Sequence, residues 1–343
     1  MKTRTYLFLS AGIFMVHGLF AQENLNYQKP PKEILELVDV ERAPSVSIDS
    51  KHENMLFKYR NMYKHLEDVS QEEMRLAGLR INPNHHISSR ITYYNNLKLR
   101  KFKATVVSEI KGLPQNPKIA NLRWSPNEKY IAFTHTTPKG LELWLLDVDN
   151  ASAKKWSDQL LNGSMGNPIT WFKNSESVLV KMLPADRPAL IETDKLIPSG
   201  PTVSNSEKGS KAQNRTYQDL LKNKTDEQNF ESLVKSELMM IKLDGHSYTW
   251  KKTDIYRGVS FSPDGQYVSI TTIQAPYSYL VPYYRFATKT IVYNQRGKRV
   301  KEVNDIPLRE ALPKGFMSTN PDKRSMSWRA DKPASLYYVV ALD

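Results

Sequence analysis

The chain has 343 residues, a net charge of +13 and no cysteine. The lack of cysteine excludes disulfide bonds, thiolate metal sites, cysteine nucleophiles and a lipid-modified cysteine. The positive charge is spread along the chain and accompanies no recognisable nucleic-acid-binding module. We therefore interpret the basic residues as solvated side chains at sheet edges. We expect no nucleic-acid partner.

The first 21 residues have the outline of a secretory signal peptide. Lys2 and Arg4 precede an apolar run from Tyr6 to Phe20, and the small residue Ala21 comes before polar sequence. The run of about 15 residues is shorter than the roughly 20 that a membrane-spanning helix needs. We expect cleavage after Ala21, a periplasmic or secreted protein, and no stable membrane insertion after cleavage. An uncleaved anchor is the alternative.

A hairpin pattern recurs along the rest of the chain. In V-S-F-S-P-D-G-Q-Y-V-S-I, residues 259–270, apolar and polar residues alternate on both sides of a Pro-Asp-Gly turn. Repeated units of about 40 to 45 residues with four strands each are typical of a β-propeller. Five segments match, with a large apolar residue at one shared position: Ile48, Trp124, Trp171, Phe261 and Trp328.

The predicted fold is therefore all-β, an incomplete β-propeller with five recognisable hairpin repeats; a β-sandwich is the alternative. We predict one partial propeller domain over residues 22–343. Short helices are expected at Glu33 to Val38 and after the capping box S-Q-E-E at 70–73, the latter ending near Gly78. A polar insertion at about 195–236 should interrupt one blade and contain a helix near 217–223.

The chain shows no motif for catalysis, for a metal or for a cofactor. His85 and His86 are adjacent, and neighbours in a strand point to opposite faces, so we do not expect joint metal ligation. Ser164 and Ser247, the second beside His246, lack the glycine spacing of a nucleophile elbow. The sequence therefore predicts no catalytic residue, no metal site and no cofactor.

Basic and aromatic residues between positions 257 and 285 are the candidates for ligand contact. Arg257, Arg285, Tyr279 and Tyr284 are expected to line the mouth of a channel and to contact acidic or peptide ligands. Packing and solvated-edge roles are the competing interpretation of these residues and the favoured one.

Five long phrases follow one another from Tyr27 to the last residue: Y-Q-K-P-P-K-E-I from Tyr27, E-E-M-R-L-A-G-L-R-I-N-P from Glu72, R-T-Y-Q-D-L-L-K from Arg215, Y-S-Y-L-V-P-Y-Y-R-F from Tyr277, and S-W-R-A-D-K-P-A-S-L-Y-Y-V-V-A-L-D from Ser327. Together, and in this order, they resemble the N-terminal part of exported bacterial serine peptidases of the prolyl oligopeptidase family, in the glutamyl endopeptidase branch.

This resemblance implies a gating propeller that precedes a C-terminal α/β-hydrolase domain with a Ser-Asp-His triad, and that restricts access to short peptides. The hydrolase domain is absent from this sequence, so we expect peptide substrates to be cleaved only by a longer protein, plausibly after glutamate. The chain alone should be inactive.

Because Asp343 follows the second strand of its blade, the isolated chain is also expected to be prone to aggregation. The alternatives are a non-catalytic periplasmic propeller that binds proteins or peptides and, more remotely, a glycan-acting enzyme.

Overall fold

The computed structural model describes residues 28–192, 216–310 and 322–341. It divides into two compact units, Met1–Arg42 and Ala43–Asp343. In the first unit, helix α1 (Lys32–Val38) begins directly after Pro31 and confirms the helix expected at this point. The predicted signal peptide lies outside the described residues and stays a prediction. Within the described ranges, no helix has the length and apolar character needed to cross a membrane.

The second unit consists mainly of short antiparallel strands. In chain order, the strands are β1 (Ser45–Ile48), β2 (Asn54–Tyr59), β3 (Met74–Leu76), β4 (Leu79–Asn82), β5 (Ile87–Ser88), β6 (Asn96–Lys101), β7 (Ser108–Glu109), β8 (Ile119–Trp124), β9 (Tyr130–Thr137), β10 (Gly140–Asp147), β11 (Ser152–Lys155), β12 (Ile169–Trp171), β13 (Ser177–Met182), β14 (Ser236–Lys242), β15 (Ser247–Asp254), β16 (Tyr256–Phe261), β17 (Tyr267–Ile273), β18 (Thr288–Asn294), β19 (Arg299–Ile306), β20 (Arg324–Trp328) and β21 (Leu336–Val339). The helices are α2 (Leu66–Val69) and α3 (Lys224–Val234).

The strands form consecutive antiparallel meanders. Four sheets have four strands each, in the orders β1-β2-β6-β7, β8-β9-β10-β11, β12-β13-β14-β15 and β16-β17-β18-β19, and a fifth sheet pairs β20 with β21. Repeated four-stranded antiparallel sheets are the blades of a β-propeller, so the predicted fold class is confirmed. We number these sheets blades 1 to 5. The small sheet β3-β4-β5 interrupts blade 1 and is called the excursion sheet.

The shared apolar residue of the repeat ends the first strand of every blade, because β1, β8, β12, β16 and β20 end at the five positions named above. The turn after it is stabilised by side chains. Ser262 Oγ donates to Asp264 Oδ1 at 2.6 Å and accepts from the amide of Tyr267 at 3.0 Å. Ser125 makes the same pair of bonds, donating to Asn127 and accepting from Tyr130. The hairpin therefore follows from local sequence.

Three of the apolar clusters in the described residues join neighbouring blades. Leu97 of blade 1 lies in one cluster with Phe133 of blade 2. Leu143 of blade 2 lies in another with Val180 of blade 3. Leu179 of blade 3 lies in the third with Ile270 of blade 4. Adjacent residues of β13 thus face different clusters, and the entire strand is buried. Such a strand is covered on both faces and reads as a continuous apolar run.

The helix predicted after the capping box at 70–73 is wrong. Helix α2 instead ends just before Ser70, whose amide donates to the carbonyl of Leu66 at 2.9 Å, and the next residues form β3. Ala77 and Gly78 both have positive φ, 53° and 82°, as a two-residue hairpin turn requires. Pairing of β3 with β4, which buries apolar side chains in a tertiary cluster, overrides the local helix signal.

The helix predicted near 217–223 is displaced along the chain to α3. Asn223 is the N-cap residue, and its side chain accepts from the amide of Asp226 at 2.8 Å. Helix α3 lies between β13 and β14, within blade 3, and Phe230 and Leu233 on its inner face are fully buried. Residues 195–215 of the predicted insertion lie outside the described residues, so the extent of the insertion stays a prediction.

Candidate peptide-binding cavities

The first strands of blades 4 and 5 carry arginines at equivalent positions. Arg257 lies four residues before Phe261, and Arg324 lies four residues before Trp328. Both line a cavity of about 390 Å³, which we call the basic cavity. Its other principal lining residues come from the segment after β17, from β18, from β19 and the residues after it, and from β20 and the residue before it: Tyr284, Arg285, Thr288, Thr290, Asn304, Arg309, Lys323 and Met326.

The basic cavity has a strongly positive lining without a carboxylate. The side chains of Arg257 and Arg324 make no hydrogen bond or ion pair with the described residues. Arg309 contacts Asp322, with Nη2 and Oδ2 2.5 Å apart, and its amide donates to the carbonyl of Arg285 at 3.0 Å. Unpaired guanidinium groups beside hydroxyl and amide side chains suit an anionic ligand with hydrogen-bonding groups.

Three of the four residues expected to contact ligand line this cavity: Arg257, Tyr284 and Arg285. Tyr279 does not. Its hydroxyl donates to Glu227 Oε1 on α3 at 2.6 Å, and burial together with this bond raises the pKa of Tyr279 to about 12. Tyr279 therefore holds the segment before Tyr284 against α3. The sequence did not predict this contact.

A second cavity, of about 240 Å³, lies at the first strands of blades 2, 3 and 4 and is called the inner cavity. Arg123 from β8, Lys181 from β13 and Arg257 from β16 line it, and no Asp or Glu does. The side chain of Arg123, like that of Arg257, forms no hydrogen bond or ion pair with the described residues. Arg257 and Gly258 belong to both cavities.

Lys181 is the most unusual group in the inner cavity. The residue is only 7% exposed, and its Nζ donates to the carbonyl of Met165 at 2.6 Å. No carboxylate among the described residues pairs with it, and burial lowers the pKa of Lys181 to about 8. Sequence reasoning missed this residue. The sequence feature that could have identified it is a single lysine inside the otherwise apolar run V-L-V-K-M, which forms a buried strand.

A third cavity, about 370 Å³ in volume, lies beside the excursion sheet, and its main charged groups are paired internally. Lys118 Nζ lies 2.9 Å from Asp68 Oδ1, and Glu73 pairs with Arg75 at 2.8 Å. A hydrogen bond from Ser89 keeps the pKa of Glu73 below its usual value, against the effect of burial. These ion pairs leave less unsatisfied charge for a ligand than the basic and inner cavities do.

The two adjacent histidines lie in the turn between β4 and β5, not in a strand as expected. His86 has a left-handed backbone, with φ at 52°, and its Nδ1 lies 2.9 Å from Nη1 of Arg187. Burial, with the nearby charge of Arg187, lowers the pKa of His86 to about 4. His86 is therefore a neutral partner that fixes Arg187 near blade 3.

The serines considered as nucleophiles are not arranged for catalysis. Ser164 is buried, and its Oγ has no hydrogen-bond partner among the described residues. Ser247 is the first residue of β15 and follows His246, which ends the exposed turn after β14. In that turn, His246 Nδ1 lies 3.1 Å from Asp244 Oδ1. That contact belongs to a local turn in which Asp244 also accepts the amide of His246 at 2.9 Å.

Comparison with known proteins identifies relatives with a peptidase name. The chain is 32% identical over 331 residues to the probable chloroplastic glutamyl endopeptidase of Oryza sativa subsp. japonica and 31% identical over 324 residues to that of Arabidopsis thaliana. The chain is therefore related, over nearly all of its length, to proteins named as probable glutamyl endopeptidases. The alignments cover 93% and 91% of this chain but only 35% and 33% of the two relatives. The chain thus spans about a third of the length of these two relatives.

No family model matches the chain. Among solved structures, the chain is similar to the acylaminoacyl peptidase of Pyrococcus horikoshii, with a TM-score of 0.41 and 11% identity over 78% of this chain and 33% of that one. It is also similar to TolB from Acinetobacter baumannii, with a TM-score of 0.35 and 12% identity over 78% of this chain and 45% of that one.

Proposed function

We propose that this propeller controls substrate access in a serine peptidase that cleaves short peptides, plausibly after glutamate. The observation that carries the proposal is the identity of 32% over 93% of the chain to a relative named as a probable glutamyl endopeptidase. In this proposal, a hydrolase domain outside the chain supplies the nucleophile, the base and the oxyanion hole that acyl transfer requires. The propeller contributes selection of the substrate.

The charge of the basic cavity supports a role in selecting acidic peptides. Arg257 and Arg324 are unpaired within the described residues, and Lys323 and Arg285 stand beside them. An acidic peptide that enters this cavity gains charge-assisted hydrogen bonds, whereas a basic peptide meets like charge. The cavity therefore favours glutamate-rich substrates before they reach the catalytic groups.

The test compares this chain alone with the same chain joined to the remaining two thirds of the rice relative. We expect the fusion to cleave a quenched glutamyl peptide and to be inhibited by a serine-directed phosphonate, while the chain alone shows no turnover. A folded but inactive fusion would contradict the peptidase assignment. If the chain alone then still binds peptides, the alternative of a non-catalytic binding propeller is favoured.

We also propose that the protein is exported to the periplasm or beyond. Support comes from Lys2 and Arg4, which precede the apolar run that ends at Phe20, and from Ala21 before polar sequence. Intact mass measurement of protein recovered from the periplasm or medium should give a mature N-terminus near Gln22. Retention of Met1 in that fraction would count against cleavage.

A further inference from the structure

We infer that the inner cavity is a carboxylate-binding site in which Lys181 is the central cation. Three positively charged side chains from three consecutive blades, Arg123, Lys181 and Arg257, line one small cavity that has no acidic lining residue. The charge and burial of the site are independent of the proposed peptidase role. Only the step that the carboxylate belongs to a peptide rests on the proposed function.

The environment of Lys181 is incomplete without an anion. Its side chain leaves the buried strand β13 on the face that includes Leu179, in the cluster shared by blades 3 and 4. The ammonium group has three N–H donors, and in the described part of the chain only the Met165 carbonyl accepts one. Buried charges in proteins are normally paired, and an unpaired ammonium is costly to bury. A bound carboxylate supplies the missing countercharge and accepts the free donors.

The two arginines add positive charge, and so a preference for anions, on the solvent-exposed side of the inner cavity. Arg123 and Arg257 are exposed residues on the first strands of blades 2 and 4, and neither guanidinium has a protein partner among the described residues. They raise the local concentration of anions at the mouth of the cavity, and Lys181 meets the anion that enters. An exposed entrance with a buried cation at its base is suited to one charged group on a flexible chain.

The size of the cavity limits what enters. Its volume of about 240 Å³ is below the roughly 300 to 1,000 Å³ of sites for drug-sized ligands. It therefore suits one acidic side chain or one chain terminus. Carboxylate is the shared chemistry of both ligands, and the experiment below separates the two sources.

A purely structural role for Lys181 is the competing explanation. The amide of Lys181 donates to the carbonyl of Pro168 at 2.9 Å, and its carbonyl accepts from the amide of Asn162 at 2.8 Å. With the bond from Nζ to Met165, Lys181 thus contacts both ends and the middle of one loop. If the ammonium served only this loop, its removal would destabilise the protein without changing ligand preference.

Binding of short acetylated peptides to the full 343-residue chain provides the test. The probes are acetyl-Gly-Gly-Glu-amide, acetyl-Gly-Gly-Gly with a free carboxylate, and the neutral acetyl-Gly-Gly-Gln-amide, each titrated calorimetrically. We expect at least one carboxylate probe to bind at least tenfold more tightly than the neutral probe. Preference for the first identifies a side-chain site, and preference for the second identifies a terminal-carboxylate site.

The variants are Lys181→Met, which keeps a similar side-chain length without the charge, and Lys154→Met, which removes an exposed lysine of β11. Lys181→Met should abolish the preference and retain or raise the melting temperature, whereas Lys154→Met should keep the preference. Equal binding of neutral and anionic probes, or an unchanged preference in Lys181→Met, would overturn the inference.

A second measurement uses the chain without substitutions, so it tests the inference even if the Lys181→Met protein does not fold. The carboxylate probe that binds should protect Lys181 from reductive methylation at least threefold, as measured by peptide mass spectrometry, and should leave Lys154 unprotected. Equal methylation of Lys181 with and without the probe would also overturn the inference. Neither assay depends on hydrolysis, so failure of the peptidase proposal is distinguishable from failure of this site.

Discussion

Trp171 Nε1 donates a hydrogen bond of 2.9 Å to the main-chain carbonyl of Arg123, and this bond joins blade 3 to blade 2. Trp328 repeats the bond between blades 5 and 4, donating to the carbonyl of Ser260 at 3.1 Å. In both cases the acceptor directly precedes the aromatic residue that ends the first strand of the previous blade. In blades 3 and 5, the shared position of the repeat is therefore also an inter-blade contact.

Replacement of Trp171 by Phe should test this contact. The variant keeps an aromatic ring near Trp156, whose ring centroid lies 5.5 Å away, but loses the donor to Arg123. We expect a loss of about 1 kcal/mol in the free energy of unfolding, since a partly buried acceptor loses this donor. Urea denaturation measures it. Trp144→Phe is the control, because its bond goes to Glu142 on the same strand, and equal losses in both variants would contradict the inter-blade role.

Removal of charge from the basic cavity should weaken binding of acidic peptides. Arg257→Gln combined with Arg324→Gln removes two guanidinium groups that have no partner among the described residues, so stability should change by less than about 0.5 kcal/mol. Affinity for a glutamate-rich peptide should fall about tenfold, and affinity for its glutamine counterpart should not change.

Fluorescence anisotropy at two salt concentrations measures both affinities, since exposed charge interactions weaken with ionic strength. Arg296→Gln is the control for charge, because Arg296 lies in the exposed turn between β18 and β19. A matching loss of affinity in Arg296→Gln would indicate a general effect of net charge instead of a site.

The stability of the fold should decrease in acid partly through His86. Its pKa is about 4 in the folded protein, because of burial and then the charge of Arg187, compared with about 6.5 in an unfolded chain. Between pH 6.5 and pH 4 the unfolded chain binds a proton that the folded protein does not, so stability is lost as the pH falls. The loss from this residue is at most about 3 kcal/mol.

His86→Asn should therefore lose less stability than the unsubstituted protein between pH 7 and pH 4.5, as measured by urea denaturation at each pH. Asn tolerates the left-handed backbone at this position. His52→Asn is a matched control, because His52 also has a positive φ, at 56°, but is exposed. Carboxylates that titrate in this range affect all three proteins alike. A pH dependence of His86→Asn that matches the unsubstituted protein would refute the assignment.

Gly78→Ala should destabilise the excursion sheet more than glycine replacement elsewhere. Gly78 has φ at +82°, and an added Cβ would lie 2.7 Å from Cβ of Pro282. Gly245 has a similar φ, +92°, and open space around it. Both variants incur the cost of a left-handed Ala, about 1 kcal/mol, and only Gly78→Ala adds a steric clash. Thermal unfolding should show a clearly larger fall for Gly78→Ala, and equal falls would mean that Pro282 moves aside freely.

The repeat itself was predictable from sequence. The alternation of apolar residues, the turn chemistry around Ser262 and Asp264, and the recurring aromatic residue are local patterns, and local hydrogen bonds realise them in the structure. The family resemblance also rests on sequence, because long phrases in a fixed order need no coordinates. Local patterns failed where tertiary burial outweighed them, as in the residues after Ser70, which form β3 instead of a helix.

The sequence by itself determined the propeller, the resemblance to glutamyl endopeptidases and a group of basic and aromatic candidates, because these depend on periodicity, on the order of phrases and on residue type. Only the tertiary structure decided that Arg257 shares one cavity with Arg324 and another with Arg123 and Lys181, that Tyr279 binds α3 instead, and that Lys181 has no acidic partner among the described residues. The physical reason is that charge pairing depends on which strands become neighbours. Blades separated by tens of residues in the chain meet at their first strands, and no local pattern encodes the distances between their side chains.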